Sequence, residues 1–455
     1  MNPIRKCSAV LLAALLLAGC APALPETSAP SEPLTAPADD LSGNSLVFLT
    51  SQGEGGQYAF GTGPDTGSDQ RILWVDYAGR TISYLCAQPN CDHRTDACTA
   101  CVPVPPGDTA TPYALCFAAP GGRLVLLVTG KASEILVANA DGTDRRAVVD
   151  WTADSIYPYL ADGQSLYYTG SRVSEAGDAA STALYQVPLD GGRAVEVFQL
   201  RNSGDGTEQE EVIGAWGRNA VTLYTDLRDA MTVEKPDLPP DVTPEEHAAA
   251  WDAYFAATNR CKSTRQVCLR NVDTGAMTVL AQWESDGLDA GWLTAWQDGQ
   301  LYQLKSDLSA ARATTPDGQT SETPVQWPEE LAGMNHGSGL SAVIGGQMLV
   351  HCYPPDAPGS HLVAVDPATG RCTEIRLTWL NPGSGGEEVM PLMGYDSEYV
   401  LLRCSQQETT STQLGPDGTV IPAVAYEDRY GLLTLEDFFA SRQNWLELGG
   451  GYQLW

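Results

Sequence analysis

Apolar and polar residues alternate along most of the chain after residue 44, in short segments separated by turns that contain glycine or aspartate. Clear pairs of such segments are 71–76 with 81–85, and 183–187 with 194–198. Alternation with a period of two predicts half-buried β-strands, and short glycine-containing turns predict that consecutive strands form hairpins. The pattern therefore predicts an all-β protein.

The hairpins recur at a regular interval. The glycine in the second turn of each unit lies at position 79, 142, 191, 275, 318, 370 or 418. Four of the six intervals between these glycines are 43 to 52 residues long, and the two longer intervals contain insertions. Four-stranded units of this period are typical of β-propellers. We predict a single propeller over residues 45–448 with seven blades, and with six or eight as the alternatives because the copy around Gly318 is poor.

The first unit lacks an inner strand. Residues 46–49 are predicted to be the second strand of this unit, with no first strand before them. We predict that residues 429–434 supply the missing strand, because a C-terminal strand joining the first blade closes the ring and covers an open sheet edge. Residues 449–455 then form a C-terminal tail.

The connections between predicted strands differ in length on the two faces of the ring. We label the four strands of each blade a to d, from the central channel outward. The a–b and c–d turns lie on one face of the ring, which we call the tight-turn face. The b–c and d–a connections lie on the opposite face, which we call the long-loop face. The long segments all fall in b–c or d–a positions: 51–70, 87–112, 200–211, 227–264 and 379–389. We predict that the long-loop face is the working surface, since rigid scaffolds carry their binding residues on loops.

The N-terminus has the pattern of an exported lipoprotein. Arg5 and Lys6 precede an apolar run over 9–18, which is too short to span a bilayer, and the run ends in Leu-Ala-Gly-Cys at Cys20. This ending resembles the bacterial lipobox, which implies removal of residues 1–19 and lipidation of Cys20. Residues 20–44 are rich in proline and predict a tether. The alternative is an ordinary secretory signal with an accidental cysteine.

The charge of the chain narrows the choice of partners. Lys and Arg number 26 against 57 Asp and Glu, so the formal net charge is −31. Nucleic acid is excluded as a partner, since its binding requires a positive surface. An acidic protein is also repelled by an anionic membrane surface. Retention at the cell membrane therefore depends on the lipid at Cys20, and we expect an extracytoplasmic location.

One long loop contains a cluster of metal-ligand residue types. Its thiols and imidazole are Cys86, Cys91, His93, Cys98 and Cys101. Sulfur and imidazole nitrogen are the ligands of closed Cys₃His or Cys₄ zinc sites, whereas cysteines of an exported protein commonly form disulfides. We therefore predict that this loop over 86–101 is closed either by disulfides or by a structural zinc ion. Redox chemistry is a third interpretation. The other mature cysteines are scattered, as small buried thiols often are.

Only one part of the chain is predicted to be helical, an insertion at about 235–260 within the long segment 227–264. Thr243 is a suitable N-cap, a proline follows it, and two glutamates lie in the first turn. Trp251, Tyr254 and Phe255 then share one face with His247. This stripe either packs onto the propeller or forms an aromatic platform for a ligand such as a glycan.

Some of the repeats resemble known propeller families. The unit over 162–191, with Asp-Gly-Gln-Ser-Leu-Tyr-Tyr-Thr and Ala-Leu-Tyr-Gln-Val, is similar to the repeats of TolB-like and YWTD-like propellers. Together with the lipobox, the Cys/His loop and the segment 430–441, the chain resembles uncharacterised propeller lipoproteins of Gram-positive anaerobes. This resemblance implies a propeller fold and a membrane-anchored location without an activity. The YWTD string itself is missing, so no ligand site is transferred from that family.

The chain has none of the sequence motifs that identify common catalytic sites. There is no H-E-x-x-H, no phosphate-binding loop and no G-x-S-x-G elbow, and His336 beside a Gly-Ser-Gly stretch has no acid partner. We therefore expect a non-enzymatic binding or scaffold protein for protein or glycan. The alternative is a propeller glycoside hydrolase or lyase with carboxylates at the central funnel.

Overall fold

The computed structural model is a seven-bladed β-propeller, as the repeat predicts, with 55% of the residues in strands and 7% in helices. It describes residues 45–64, 70–86, 88–95, 97–102, 113–130, 133–153, 155–173, 180–239, 242–331, 333–355, 359–382, 385–414 and 419–454. Each blade is an antiparallel sheet of four main strands with its first strand at the central channel.

The first three blades follow a short N-terminal strand, β1 (Val47–Phe48). Blade 1 contains β2 (Gln52–Gly53), β3 (Gly56–Thr62), β4 (Arg71–Asp76) and β5 (Thr81–Tyr84). Blade 2 contains β6 (Tyr113–Ala119), β7 (Arg123–Thr129), β8 (Ser133–Asn139) and β9 (Arg146–Ala153). Blade 3 contains β10 (Ser155–Ala161), β11 (Ser165–Val173), β12 (Ala180–Pro188) and β13 (Val195–Gln199).

Blades 4 and 5 follow, and the helical insertion belongs to blade 4. Blade 4 contains β14 (Glu208–Trp216), β15 (Asn219–Asp226), the helices α1 (Arg228–Met231) and α2 (Pro244–Thr258), then β16 (Lys262–Asn271) and β17 (Met277–Asp286). Blade 5 contains β18 (Trp292–Gln297), β19 (Gln300–Lys305), β20 (Ala310–Thr314) and β21 (Thr320–Pro324). A 3₁₀ turn (Glu329–Leu331) leads to the next blade.

Blades 6 and 7 complete the ring and are separated by a small hairpin. Blade 6 contains β22 (Asn335–His336), β23 (Ala342–Ile344), β24 (Gln347–Tyr353), β25 (His361–Val365) and β26 (Cys372–Ile375), and the hairpin is β27 (Thr378–Leu380) with β28 (Glu387–Val389). Blade 7 contains β29 (Leu392–Tyr395), β30 (Tyr399–Leu414), β31 (Val420–Thr434), α3 (Leu435–Phe439) and β32 (Leu446–Glu447), and β33 (Gln453–Leu454) follows.

The core lies between neighbouring blades. On β7, Leu124 and Leu126 pack against blade 1, whereas Val125 and Leu127 pack against blade 3. A strand that is buried on both faces has a nearly continuous run of apolar residues. The second strands of the blades therefore show less alternation of apolar and polar residues than the inner strands do. Burial of this kind supplies about 1.5–3 kcal/mol per large aliphatic side chain.

The N-terminal segment follows a path that differs from the predicted one. Residues 46–49 do not form the second strand of blade 1, because β1 pairs with the inner edge of β10 in blade 3. The Leu46 amide donates to the Gly217 carbonyl of blade 4, and Thr50 forms a bridge with Ala118 of blade 2. The segment thus covers sheet edges that would otherwise be unpaired.

The ring is closed by a C-terminal strand on blade 1, as predicted, but by a different strand. Residues 429–434 belong to β31 in blade 7, where they pair with β30. Closure comes from β33, which pairs with Gly61 and Thr62 of β3, so residues 449–455 include a structural strand rather than only a tail. The sequence pattern favours 429–434 because that segment is longer and more apolar than 453–454.

Two further expectations are corrected by the structure. Gly418 lies outside the described residues. The described strands on either side of it in sequence, β30 and β31, are the second and third strands of blade 7, so the prediction of a c–d turn at this position is wrong. The predicted helix over 243–260 is present as α2, but α1 and α3 are additional short helices. In the part of the chain that the structure describes, no helix has both the length and the apolar character needed to cross a bilayer.

Candidate metal centre

The Cys/His loop leaves the outer strand of blade 1 and folds back beside the start of β4. The Ile72 amide donates to the Ala100 carbonyl, and the Thr99 hydroxyl donates to the Leu85 carbonyl. His93 has a φ of 55°, a left-handed conformation in which Asn, Asp and His are enriched among non-glycine residues. The bend at His93 turns its side chain toward the cysteines on both sides of it in sequence.

Four side chains of the loop converge on one point. Cys86, Cys91, His93 and Cys98 place their sulfur and nitrogen atoms within 4.8 Å of one another, and His93 Nδ1 lies 3.3 Å from Cys98 Sγ. Ligands at about 2.0–2.3 Å from a tetrahedral zinc ion lie roughly 3.3–3.8 Å apart. The four groups can therefore hold a metal ion after small shifts.

Cys101, the fifth predicted ligand, lies outside this group. Its thiol is buried and faces the carbonyl of His93, with 3.6 Å between Cys101 Sγ and the oxygen. The same carbonyl accepts a hydrogen bond from Arg71 Nε. Among the candidate ligand sets, the geometry thus favours Cys₃His over Cys₄, and Cys101 contacts the backbone of His93, a candidate ligand.

The cluster is held by contacts to three blades. The His93 ring stacks on Tyr84 of blade 1 at a centroid distance of 4.1 Å, and Tyr84 meets Tyr452 beside the closing strand β33. Arg145, in the c–d turn of blade 2, donates to the Cys101 carbonyl. Cys98 also belongs to the apolar cluster between blades 1 and 7. The loop therefore lies at the junction where the ring closes.

The thiols of the cluster differ in proton affinity. Burial raises the pKa of Cys98 to about 12, and its hydrogen bonds to Cys86 and Cys91 act in the same direction. At Cys86 burial also opposes ionisation, but hydrogen bonds from the backbone amides of Gln88 and Thr99 and from the two other thiols outweigh it and lower the pKa. A metal ion deprotonates thiols that coordinate it, so binding here releases protons.

Cys86, Cys91, Cys98, Cys116, Cys261, Cys268, Cys352, Cys372 and Cys404 are free thiols in the structure. Cys116, Cys268 and Cys352 are buried in the blades, as expected for small apolar side chains. Cys20 and the tether lie outside the described residues.

The aromatic stripe of α2 is divided between the interior and the solvent. Tyr254 is buried, whereas Phe255 is 49% exposed. Trp251 contacts both rings, and its indole N–H donates to His247 at 3.2 Å. The helix therefore uses one ring for packing and presents part of the stripe on the insertion surface.

His336 lies in β22, and backbone carbonyls occupy both of its ring nitrogens. Nδ1 lies 2.7 Å from the Gly337 oxygen, and Nε2 lies 2.6 Å from the Ser306 oxygen. These contacts anchor the loop before blade 6.

The sequence finds no matching family model and no matching relative among curated proteins. Similar folds occur among solved structures. An oligogalacturonate lyase in complex with manganese has 12% identity and a TM-score of 0.36 over 80% of each chain. An oligogalacturonate lyase from Vibrio parahaemolyticus has 10% identity and a TM-score of 0.36 over 87% of this chain and 85% of that one. A puromycin hydrolase has 14% identity and a TM-score of 0.31 over 86% of this chain and 59% of that one.

Proposed function

We propose that this protein is a lipoprotein anchored to the outside of the bacterial cell membrane through Cys20, whose propeller binds a protein or glycan without catalysing a reaction. The proposed binding surface is the long-loop face, and the Cys₃His cluster is proposed to hold a structural zinc ion. The observation that carries the proposal is the concentration of added structure in the b–c and d–a connections.

Three additions to the seven blades support this choice of face. They are the Cys/His loop after blade 1, the insertion with α2 in blade 4, and the extension of β30 and β31 beyond blade 7. The extension exposes Val420 and Val424 at 64% and 61%, and such apolar exposure is typical of contact surfaces. The a–b turns, by contrast, are short.

The proposed zinc ion supplies a cross-link and no reaction step. Cys86, Cys91, His93 and Cys98 provide three soft thiolates and one imidazole, the donor set of closed structural zinc sites. Because the loop contacts blades 1, 2 and 7, the ion would fasten the region where the ring closes.

Elemental analysis of the purified mature protein tests the metal. We expect one zinc ion per chain and loss of this ion in His93→Ala. Chelation of the metal from the parent protein should expose three additional reactive thiols, those of Cys86, Cys91 and Cys98. Cys404→Ser, which removes a thiol of blade 7, is the matched control and keeps the zinc. Disulfides in place of zinc would leave these cysteines unreactive until reduction.

Deletion of surface elements tests the binding face. Replacing 405–428 by a two-residue turn, or 227–261 by a short linker, should abolish retention of the protein's ligand from extracted membranes and from glycan arrays. A matched insertion in the tight turn at Gly217 should leave retention unchanged. Retention that survives both deletions, or cleavage of an arrayed glycan, would overturn the proposal.

A further inference from the structure

A cavity of about 220 Å³ lies where the inner parts of blades 1, 2 and 7 meet. Its wall combines residues of β3 in blade 1, of the first strands β6 and β29 of blades 2 and 7, and Leu454 of the closing strand β33. The wall is therefore complete only when β33 is paired with β3 and the ring is closed.

Aromatic rings form a large part of this wall. Tyr58, Phe60 and Phe117 line the cavity, and each of them is at most 7% exposed. Phe60 also contacts Tyr113 edge to face at a centroid distance of 5.6 Å, and Tyr113 is partly exposed to solvent. Among the described residues of the wall there is no Asp, Glu, His, Lys or Arg. Burial of an unpaired charge is costly, so the cavity suits a neutral ligand with an aromatic ring.

Gln57 adds a buried amide group to the wall, with only 3% of the residue exposed. Its Nε2 donates to the Met393 carbonyl at 3.2 Å, and its Oε1 accepts from the Tyr77 hydroxyl at 2.9 Å. A side-chain amide has two N–H groups and an oxygen with two lone pairs, so one donor and one acceptor position remain unused within the described part of the chain. A buried amide with unused positions favours a ligand that carries a polar atom.

The position of this amide depends on a glycine of the neighbouring blade. A β-carbon at Gly394 in β29 would lie 1.6 Å from Gln57 Oε1, so only glycine leaves space for the amide in its present place. The carbonyl that accepts from Gln57 belongs to Met393, the residue before this glycine. Blade 7 therefore both holds the amide and makes room for it.

The volume and the remaining wall limit the kind of ligand. An apolar cavity of about 150 Å³ holds one benzene molecule. At about 220 Å³ the present cavity has room for one substituted ring, whereas a disaccharide is too large. Cys116 also lines the cavity, and burial raises the pKa of its thiol to about 12, so this side chain is a neutral and weakly polar part of the wall.

We infer that this cavity binds a neutral molecule with one aromatic ring and one hydrogen-bonding substituent, the chemistry of a simple phenol. The rings of Tyr58, Phe60 and Phe117 contact the ring of the ligand, and the Gln57 amide forms a hydrogen bond with its substituent. This site is separate from the binding surface proposed for the long-loop face, and neither depends on the other.

Calorimetric titration with p-cresol, toluene and benzoate tests the inference. The protein is the full mature chain with Cys20→Ser, which removes the proposed lipidation site and the need for a detergent that would absorb the probes. p-Cresol is expected to bind with a dissociation constant of about 1 mM or lower. Toluene lacks the hydroxyl and should bind about fivefold more weakly. Benzoate is charged and should bind at least about tenfold more weakly than p-cresol.

Gln57→Met keeps the length of the side chain without its amide. This variant should bind p-cresol about fivefold more weakly, while its affinity for toluene should stay within about twofold of the parent value. The matched control is Gln303→Met, because Gln303 is also a buried glutamine with two side-chain hydrogen bonds but lies in blade 5. The control should bind p-cresol like the parent protein. Thermal midpoints report whether each variant is folded.

The reactivity of Cys116 gives a second readout that needs no substitution in the wall. With p-cresol at five times its dissociation constant, modification of Cys116 by methyl methanethiosulfonate should slow about sixfold, as followed by mass spectrometry of its peptide. Cys268, which is also buried but lies in blade 4, should react at an unchanged rate. No detectable p-cresol binding, or benzoate binding as tight as that of p-cresol, would overturn the inference. Equal p-cresol affinity in Gln57→Met and the parent protein, or unchanged modification of Cys116, would overturn it too.

Discussion

Glu134 is a carboxylate in an environment that favours its neutral form. Its side chain on β8 is 7% exposed. Burial, reinforced by the charge of Asp150, raises its pKa to about 7. Between its ordinary value and this raised value the folded protein keeps a proton that the unfolded chain has released. Stability must therefore fall as pH rises through this window.

Glu134→Gln should remove this pH dependence. At pH 8 the variant is expected to be more stable than the parent by about 1–2 kcal/mol, and at pH 4 the two should be nearly equal. Urea unfolding at both pH values measures the difference, with Glu54→Gln on an exposed turn as control. A stability gain of the same size at pH 4 and pH 8 would contradict the explanation.

Gly214 permits close packing between blades 4 and 5. A β-carbon at this position would lie 2.2 Å from Trp296 Cδ1, and the Trp296 indole N–H donates to the Ala215 carbonyl. Gly214→Ala should therefore displace the indole and cost about 1–3 kcal/mol of unfolding free energy. Gly339→Ala, where the added carbon meets open space, should change stability by less than about 0.5 kcal/mol. Denaturant unfolding followed by tryptophan fluorescence measures both.

At the residue scale, the candidate metal ligands could be identified from the sequence, because all of them lie within one short segment. Selecting four from five required the structure. Cys101 differs from Cys98 only in where the folded backbone directs its thiol.

At the scale of secondary-structure elements, helix α2 begins at a capping motif that can be recognised in the sequence. The Thr243 hydroxyl accepts from the Glu246 amide at 3.2 Å, and the Glu246 carboxylate accepts from the Thr243 amide at 3.0 Å, which is a complete capping box. Such reciprocal bonds satisfy two amides that the helix leaves free. The N-terminus of this helix could therefore be predicted from the sequence to the residue.

Thr243→Ala should loosen this helix without unfolding the propeller. The loss of the cap is expected to cost about 1 kcal/mol of local helix stability. Hydrogen exchange of the α2 amides should accelerate by about fivefold, while the amides of β16 exchange at the parent rate. Glu245→Gln, in the same turn but outside the box, should have a much smaller effect. Uniform acceleration across blade 4 would indicate that the helix supports the blade.

Tight turns were easier to predict than long connections. The c–d turns at Gly142, Gly275 and Gly370 have positive φ angles of 79°, 71° and 71°, conformations that favour glycine. Gly418, which lies outside the described residues, has a similar local sequence, but it falls between β30 and β31, the second and third strands of blade 7. The local sequence predicts that a tight turn is present, but it does not show which two strands of a blade the turn joins.

For the whole molecule, ring closure depends on a very short strand. Leu454 is buried, its amide donates to the Tyr430 hydroxyl at 2.8 Å, and β33 pairs with β3. Gly61 makes this pairing possible, since a β-carbon there would lie 1.9 Å from the Gln453 carbonyl oxygen. Blades 1 and 7 are thus held together by contacts between opposite ends of the chain.

Deletion of residues 452–455 should lower the unfolding free energy by about 2–4 kcal/mol, because the leucine side chain and its hydrogen bonds are lost. Gly61→Ala should cost a similar amount. The two changes combined should cost little more than either one, since both remove the same contact. Gly449→Ala is the control. Additive effects in thermal or urea unfolding would show that Gly61 acts elsewhere.

The sequence alone determined the all-β class and most turn positions, because period-two alternation and glycine turns are local properties. It predicted seven blades with six or eight as alternatives, and the structure has seven. It also indicated the five residues of the Cys/His loop, four of which the structure brings together. Only the tertiary structure decided that β33 closes the ring, that β1 lies along three blades, and that Cys101 lies apart from the other four residues of the Cys/His cluster. These contacts join residues far apart in the chain, and their energy comes from burial and edge pairing, which many short apolar segments could satisfy equally well.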